Sequence, residues 1–214
     1  MAALNLSAGI PHLFRTYQAP KNQAFNCTIW EAARATSATP AFFKRIVIGQ
    51  PGASQPYIDG GVGCNNPIAQ VLVEAKLMFP DRQVACVISI GAGQADTISI
   101  PKPRPLQRVL PLDVVKAMQG IATDCERSAQ AIAHRLQETS NIYFRFNVEQ
   151  GLQRVGLAQW ERLDEVTAHT QHYMRTLEVD QELGDAVTAL QARRNAISTA
   201  KIGTLLAFLY SILV

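Results

Sequence analysis

A nearly continuous apolar run, Val84 to Ile90, constrains the fold of this 214-residue chain more than any other feature. Its length suits a strand, and a strand without polar alternation is typical of a parallel sheet that helices cover on both faces. The preceding segment repeats apolar residues at intervals of three and four, which predicts an amphipathic helix from Ile68 to Phe79. Because a helix followed by a buried strand is the order of α/β domains, we expect a mainly parallel sheet.

The sequence before this pair predicts a helix and a hairpin. Thr28 and Glu31 have the spacing of a capping box, so we expect a helix that ends near Ser37. Residues 45–48 favour extended structure, residues 50–55 contain Pro-Gly and read as a turn, and residues 57–58 begin a second extended piece.

The sequence after the apolar run predicts further helices and one strand. A stripe of apolar residues predicts a long helix over residues 112–138, composed of Val115, Met118, Ile121, Cys125, Ala129, Ile132 and Leu136. Apolar and polar residues alternate over residues 141–148, which predicts a strand with one face more exposed to water. From Leu163 onward, through Ile197, the pattern is helical.

Charge and cysteine usage exclude several classes of function. The net charge is only +3 and the cationic residues are scattered, so no nucleic-acid partner is indicated. The four cysteines, Cys27, Cys64, Cys86 and Cys125, form no C-x-x-C pair, so buried thiols are a simpler interpretation than zinc ligands or disulfides. No secretory signal is visible at the N-terminus, and we therefore expect a cytoplasmic setting.

Residues 202–214 form an uncharged apolar tail of 13 residues, IGTLLAFLYSILV. A helix needs roughly 20 residues to span a bilayer, so the tail is too short for that. It fits a buried terminal helix, an interfacial anchor, or non-native sequence appended at a coding boundary equally well.

The turn Asp59-Gly60-Gly61 is the most informative candidate site. A carboxylate at the end of an extended segment, followed by two residues without side chains, can approach another reacting group closely. An aspartate before glycine is also a common turn former, so the tripeptide alone is weak evidence for catalysis.

A nucleophile is harder to find. The chain contains no G-x-S-x-G sequence, which places a serine hydroxyl on a sharp turn between strand and helix. Ser37 lies near a predicted helix end and Ser89 lies in the predicted buried strand, so we expect structural roles for both.

Two other patterns have simpler explanations than ligand binding. Gly91-Ala92-Gly93 follows a strand, but the third glycine of a dinucleotide motif and its helix start are missing. His169 and His172 could share a helix face, but no carboxylate or cysteine accompanies them, which favours surface histidines. Neither pattern therefore indicates a bound dinucleotide or metal at these positions.

Three segments together closely resemble the second half of patatin-like phospholipase domains. They are Cys27 to Phe43 (CTIWEAARATSATPAFF), Tyr57 to Pro67 (YIDGGVGCNNP) and Ser89 to Gly93 (SIGAG). The resemblance runs from about Leu13 to Trp160. It implies a three-layer α/β sandwich, lipid ester hydrolysis, and a Ser–Asp dyad whose aspartate matches Asp59.

That family places its serine elbow and its glycine-rich oxyanion loop before the D-G-G or D-G-A motif. Neither element occurs in the 58 residues that precede Asp59. We therefore expect an N-terminal portion of the domain to be missing, and an isolated chain without hydrolytic activity, because a base with no nucleophile supports no turnover.

The resemblance predicts a partial patatin-like domain over residues 1–178 and a helical extension over residues 179–214 that ends in the apolar tail. It also implies a lipid substrate or membrane surface as partner, peripheral membrane association, and further domains in a longer parent protein. The alternative is a non-catalytic remnant that binds lipid or a partner.

Overall fold

A computed structural model describes residues 2–18, 26–40, 42–94, 120, 124–137, 139, 141–192 and 197–202. These residues form two compact units. The first comprises the described residues of Met1–Pro67 and Ile98–Cys125, and the second comprises those of Ile68–Thr97 and Glu126–Val214. Residues 203–214, which make up nearly all of the apolar tail, lie outside the described part.

The first unit contains a four-stranded antiparallel sheet. Its strands are β1 (Ala2–Asn5), β2 (Ile10–Leu13), β3 (Ile46–Ile48) and β4 (Gln55–Asp59), in the order β2-β1-β4-β3. The expected hairpin from residue 45 to Asp59 is confirmed as β3–β4. The expectation of a mainly parallel sheet is wrong for this unit, because short turns connect β1 to β2 and β3 to β4, and strands joined by short turns pair antiparallel.

Asn5, which is buried at the end of β1, connects the turn that follows β1 to the start of β4. Its side-chain oxygen accepts hydrogen bonds from the amides of Ser7 (2.9 Å) and Ala8 (3.2 Å), which stabilises the turn into β2. Its side-chain nitrogen donates to the Gln55 side chain at the start of β4.

The capping box predicted at Thr28 is confirmed and begins α1 (Ile29–Thr36). Thr28 accepts a hydrogen bond from the Glu31 amide, and the Glu31 carboxylate accepts one from the Thr28 amide. The buried face of α1 consists of Ala32 and Ala35, whose small side chains allow the helix to lie close to the sheet.

In the described part of the second unit there are short strands and four helices of eight residues or more. These helices are α3 (Ile68–Met78), α4 (Glu126–Leu136), α5 (Leu163–Met174) and α6 (Leu177–Ala192). The short helix α2 (Gly61–Cys64) belongs to the first unit. Its strands are β5 (Gln83–Val84), β6 (Val87–Ile90), β7 (Tyr143–Phe146) and β8 (Ile197–Ser198), and Trp160–Arg162 forms one 3₁₀ turn. The predicted helix α3 and the predicted buried face of β7, which includes Phe144 and Phe146, are confirmed.

The apolar run that suggested a doubly covered strand is interrupted. Ala85 and Cys86 separate β5 from β6, and β6 pairs in parallel with β7, its one partner strand among the described residues. Ile90 is 79% exposed, so a buried central strand is the wrong interpretation of this segment. Apolar content alone does not distinguish a central strand from a strand with one neighbour.

Two further helix predictions need correction. The predicted helix over residues 112–138 is not continuous, because Asp124 and Cys125 are non-helical and α4 begins at Glu126; residues 112–119 and 121–123 lie outside the described part. The buried residues of α4 are those of the predicted stripe, Ala129, Ile132 and Leu136. Ile197, expected in a helix, begins β8, which pairs with β5.

Arg145 on β7 organises a polar cluster inside the second unit. Its guanidinium donates to the Glu126 carboxylate at 2.5 Å and to the Ser89 hydroxyl at 3.1 Å. The Asn147 amide group donates to the same Glu126 oxygen at 2.8 Å, and its carbonyl accepts from the Gly93 amide at 2.7 Å. These bonds connect α4, β6 and β7 around charges that are largely shielded from water.

We expect Arg145→Met to lower the free energy of unfolding by about 3 kcal/mol, because it leaves a shielded Glu126 carboxylate without its ion partner. The urea midpoint of unfolding measures this change. Arg162→Met is the matched control, since its i,i+3 pair with Glu165 is more exposed and contributes about 0.5 kcal/mol. Equal effects of the two substitutions would show that the Glu126–Arg145 pair is not shielded.

His12 on β2 belongs to an aromatic cluster in the first unit. Its ring lies 4.9 Å from the Phe14 ring and 5.4 Å from the Tyr57 ring, both in edge-on orientations. Desolvation by burial, and secondarily the Arg15 charge, lowers the pKa of His12 below its ordinary value of 6.5.

The lowered pKa of His12 predicts a loss of stability under acid conditions. Below pH 6.5 the unfolded chain binds a proton at His12 that the folded chain excludes, so the free energy of unfolding falls as pH decreases from that value towards the folded-state pKa. Urea unfolding of His12→Phe, which keeps a ring but cannot titrate, should show a weaker pH dependence than the unsubstituted chain. His134→Gln, at an exposed position on α4, is the control for replacement of a histidine.

Candidate functional site

Asp59 is the last residue of β4, and the fold presents its carboxylate where the sheet ends. The residue is half-buried, and its backbone amide donates a hydrogen bond to the Ala38 carbonyl at 3.2 Å. The strand is thereby attached to the chain that leaves α1. The position of Asp59 depends on both the sheet and the helix.

Two donors orient the Asp59 carboxylate. The Thr39 hydroxyl donates to Oδ2 at 2.5 Å, and the Gly61 amide donates to Oδ1 at 2.9 Å. Each bond uses one acceptor position of an oxygen that has two, so the carboxylate retains room to accept a further proton donor. An oriented carboxylate with remaining acceptor capacity is suited to act as a general base.

The two glycines after Asp59 are needed for different reasons. A Cβ on Gly60 would lie 2.5 Å from the Ala2 carbonyl oxygen of the neighbouring strand β1, so no larger residue fits there without backbone movement. A Cβ on Gly61 would meet its nearest atom, Asp59 Oδ1, at 3.5 Å, which is an ordinary contact. Position 60 of this chain therefore requires glycine, whereas position 61 has room for alanine.

Thr39 is a site residue that the sequence reasoning did not identify. It follows the C-terminal end of α1 and precedes Pro40, and its carbonyl accepts the amides of Phe42 (3.1 Å) and Phe43 (2.9 Å). The contact with Asp59 joins residues 20 positions apart, which no local pattern reveals. The one sequence signal was its place inside the segment that resembles the family.

The two serines considered as nucleophiles make structural contacts. The exposed Ser37 hydroxyl donates to the Ala33 carbonyl at 2.9 Å, where it supports the end of α1. Ser89 is buried in β6 and accepts from Arg145.

The cysteine thiols are poorly suited to replace a serine. Desolvation by burial raises the pKa of Cys64, which lies in the helical turn after Asp59. The pKa of Cys27 is also raised, mainly by desolvation and further by the Glu31 charge. Because the thiolate is the reactive form, both groups are protonated and weakly nucleophilic at neutral pH.

Contacts within the second unit account for Gly91 and His169, and His172 is on the surface. A Cβ on Gly91 would lie 2.3 Å from the Asn147 side-chain oxygen, so the polar cluster around Arg145 requires glycine there. His169 packs against Gly151, and His172 is exposed. Within the described residues, no three His, Cys, Asp or Glu side chains form a group that could hold a metal ion, and no helix is long and apolar enough to cross a membrane.

The family model for patatin-like phospholipases matches residues 2–72, which contain β1 to β4, α1 and the Asp59 turn. Calcium-independent phospholipase A2-gamma of Mus musculus is 34% identical over 121 residues, which are 56% of this chain and 14% of that protein. Phospholipase A I of Arabidopsis thaliana is 32% identical over 120 residues, 56% of this chain and 8% of that protein.

A third relative, probable inactive patatin-like protein 9 of Arabidopsis thaliana, is 33% identical over 112 residues, 49% of this chain and 29% of that protein. The chain therefore spans less than a third of the length of each of these relatives. No solved structure matches it. The match at residues 2–72 and the similarity to these relatives support a relationship of this part of the chain to patatin-like phospholipases.

Proposed function

We propose that this chain supplies the general base, Asp59, of a Ser–Asp dyad that hydrolyses lipid acyl esters. The observation that supports the proposal is the orientation of the Asp59 carboxylate by the Thr39 hydroxyl and the Gly61 amide. A carboxylate fixed at both oxygens loses little entropy when it meets a nucleophile, because its rotamer is already selected. The motif residues are Asp59, Gly60 and Gly61.

In this mechanism Asp59 accepts the proton of a serine hydroxyl while the serine oxygen attacks the ester carbonyl carbon. The alcohol part of the lipid then leaves with that proton, and an acyl-serine forms. Water then attacks the acyl carbon and gives a proton to Asp59. The bond from the acyl carbon to the serine oxygen breaks, the fatty acid leaves, and the serine oxygen takes the proton back from Asp59, which restores the hydroxyl and the carboxylate. The serine elbow and the oxyanion loop are proposed to lie in sequence outside these 214 residues, since neither occurs within them.

The substrate class proposed is a phospholipid or a related glycerolipid ester. Its basis is the names of the relatives, phospholipase A2-gamma and phospholipase A I. A carboxylate that activates serine directly needs no metal, and the mouse relative is named calcium-independent. We propose no cofactor, a cytoplasmic protein that associates peripherally with membranes, a domain boundary after residue 178, and further domains in a longer parent protein.

The central test is the intact mass of the natively expressed protein before and after reaction with a serine-reactive fluorophosphonate. We expect a mass well above the 23.4 kDa of this chain and a single adduct. Asp59→Asn should slow adduct formation by about 10²-fold or more, because it removes the base that activates serine. Asp185→Asn, the same change at an exposed position of α6, should label at the unsubstituted rate. A mass near 23.4 kDa without an adduct would contradict the proposal.

Thr39 provides a second test on the same protein. Thr39→Val removes the hydroxyl with little change of shape, and we expect labelling to slow by about tenfold, since a hydrogen bond to a charged group contributes at least that much. Thr39→Ser should restore most of the rate, and the affinity for the probe should stay unchanged in both. Thr167→Val on α5 is the control. Equal rates for Thr39→Val and Thr39→Ser would exclude a positioning role.

A non-catalytic remnant that binds lipid or a partner is the second candidate function. The name of one relative, probable inactive patatin-like protein 9, favours it. Absence of a fluorophosphonate adduct together with vesicle flotation that depends on residues 202–214 would support this alternative.

A further inference from the structure

Aromatic and cationic side chains are exposed together beside the candidate site in the first unit. Trp30 is 64% exposed, Phe42 is 51% exposed and Phe43 is 59% exposed. Lys44 and Arg45, which follow directly in sequence, are exposed as well. We call these five residues the aromatic–basic surface and propose that it binds an anionic lipid membrane.

Hydrogen bonds and a ring contact hold the surface in one arrangement. The amides of Phe42 and Phe43 both donate to the Thr39 carbonyl, which forms a tight turn and leaves both rings towards solvent. Arg34 on α1 donates to the Lys44 carbonyl at 2.5 Å, and its guanidinium lies 5.8 Å from the centre of the Phe43 ring. Trp30 is one helical turn before Arg34 and therefore shares its face of α1.

The chemistry of the surface fits a lipid–water interface better than a protein partner. Large aromatic rings settle at the level of the headgroups, and adjacent Lys and Arg residues are attracted to anionic lipids. The centres of protein–protein interfaces are also enriched in aromatic residues and arginine, but they are depleted in lysine, which this surface contains in Lys44. The nearby acid Glu31 is directed to the helix cap, where its carboxylate accepts hydrogen bonds from the Thr28 amide and hydroxyl, each at 2.7 Å.

Thr39 connects the surface to the candidate base. Its carbonyl holds the turn that presents Phe42 and Phe43, and its hydroxyl donates to Asp59. Membrane contact through this surface would place Asp59 beside the headgroup region, where the ester bonds of glycerolipids lie. This role in substrate delivery rests on the proposed function, whereas membrane binding itself does not require Asp59.

Co-sedimentation of the full 214-residue chain with vesicles tests the proposal. The unsubstituted chain should bind phosphatidylserine-containing vesicles more tightly than pure phosphatidylcholine vesicles, and added salt should weaken this preference. Phe42→Ser/Phe43→Ser should reduce the partition coefficient by about tenfold or more, because it removes the apolar anchors. Lys44→Glu/Arg45→Glu should produce a similar loss on the anionic vesicles alone, which separates the electrostatic part from the apolar part.

Three variants control for location and for catalysis. Leu177→Ser/Leu190→Ser and Arg175→Glu/Lys201→Glu make matched changes at exposed positions of the second unit and should leave binding intact. Asp59→Asn should also bind like the unsubstituted chain. Binding can therefore succeed or fail independently of fluorophosphonate labelling, which tests the proposed function.

Several outcomes would overturn the proposal. One is that the unsubstituted chain does not bind vesicles, and another is that both surface variants, Phe42→Ser/Phe43→Ser and Lys44→Glu/Arg45→Glu, bind as well as the unsubstituted chain. A third is that only Leu206→Asp/Leu209→Asp loses binding, which would assign membrane binding to the apolar tail. A dimer without vesicle affinity, dissociated by Phe42→Ser/Phe43→Ser, would make the surface a contact between copies. Thermal unfolding verifies that each variant is folded. If Phe42→Ser/Phe43→Ser does not fold, Lys44→Glu/Arg45→Glu still tests the surface, because it retains both phenylalanine rings.

Discussion

The hydrogen bond from the Thr39 hydroxyl to the Asp59 carboxylate is the interaction on which the candidate site depends. It joins the segment after α1 to the end of β4, and the bond from the Asp59 amide to the Ala38 carbonyl repeats that connection on the backbone. The two elements are therefore fixed to each other at the point where the carboxylate emerges. A hydrogen bond to a charged acceptor is stronger than one between neutral groups, so the bond from Thr39 can hold the two elements together.

The sheet supplies the second constraint. β4 lies between β1 and β3, and the backbone of Gly60 passes so close to the Ala2 carbonyl that a side chain cannot fit. The contact fixes where the chain turns after Asp59 and so brings the Gly61 amide to the carboxylate. The glycine motif is thus a consequence of strand packing, and the orientation of Asp59 follows from it.

Local signals in the sequence were sufficient for some elements and insufficient for others. The capping box at Thr28, the hairpin before Asp59 and the stripe of α3 were predicted because each is encoded within a few neighbouring residues. Strand β1 was not predicted, since it has no alternating pattern and one of its two partner strands, β4, is more than 50 residues away. Thr39 was missed for the same reason. Parallel pairing was overestimated because the apolar run at Val87–Ile90 does not show how many neighbours a strand has.

The similarity to patatin-like phospholipases includes residues 2–72, where the features that orient Asp59 are also the features that hold the sheet and α1 together. A chain that had lost its nucleophile would keep Gly60 to avoid the Ala2 carbonyl and would keep Thr39 to satisfy a half-buried carboxylate. Hydrolysis therefore requires a serine nucleophile in addition to the Asp59 carboxylate, because the base acts only by activating that hydroxyl.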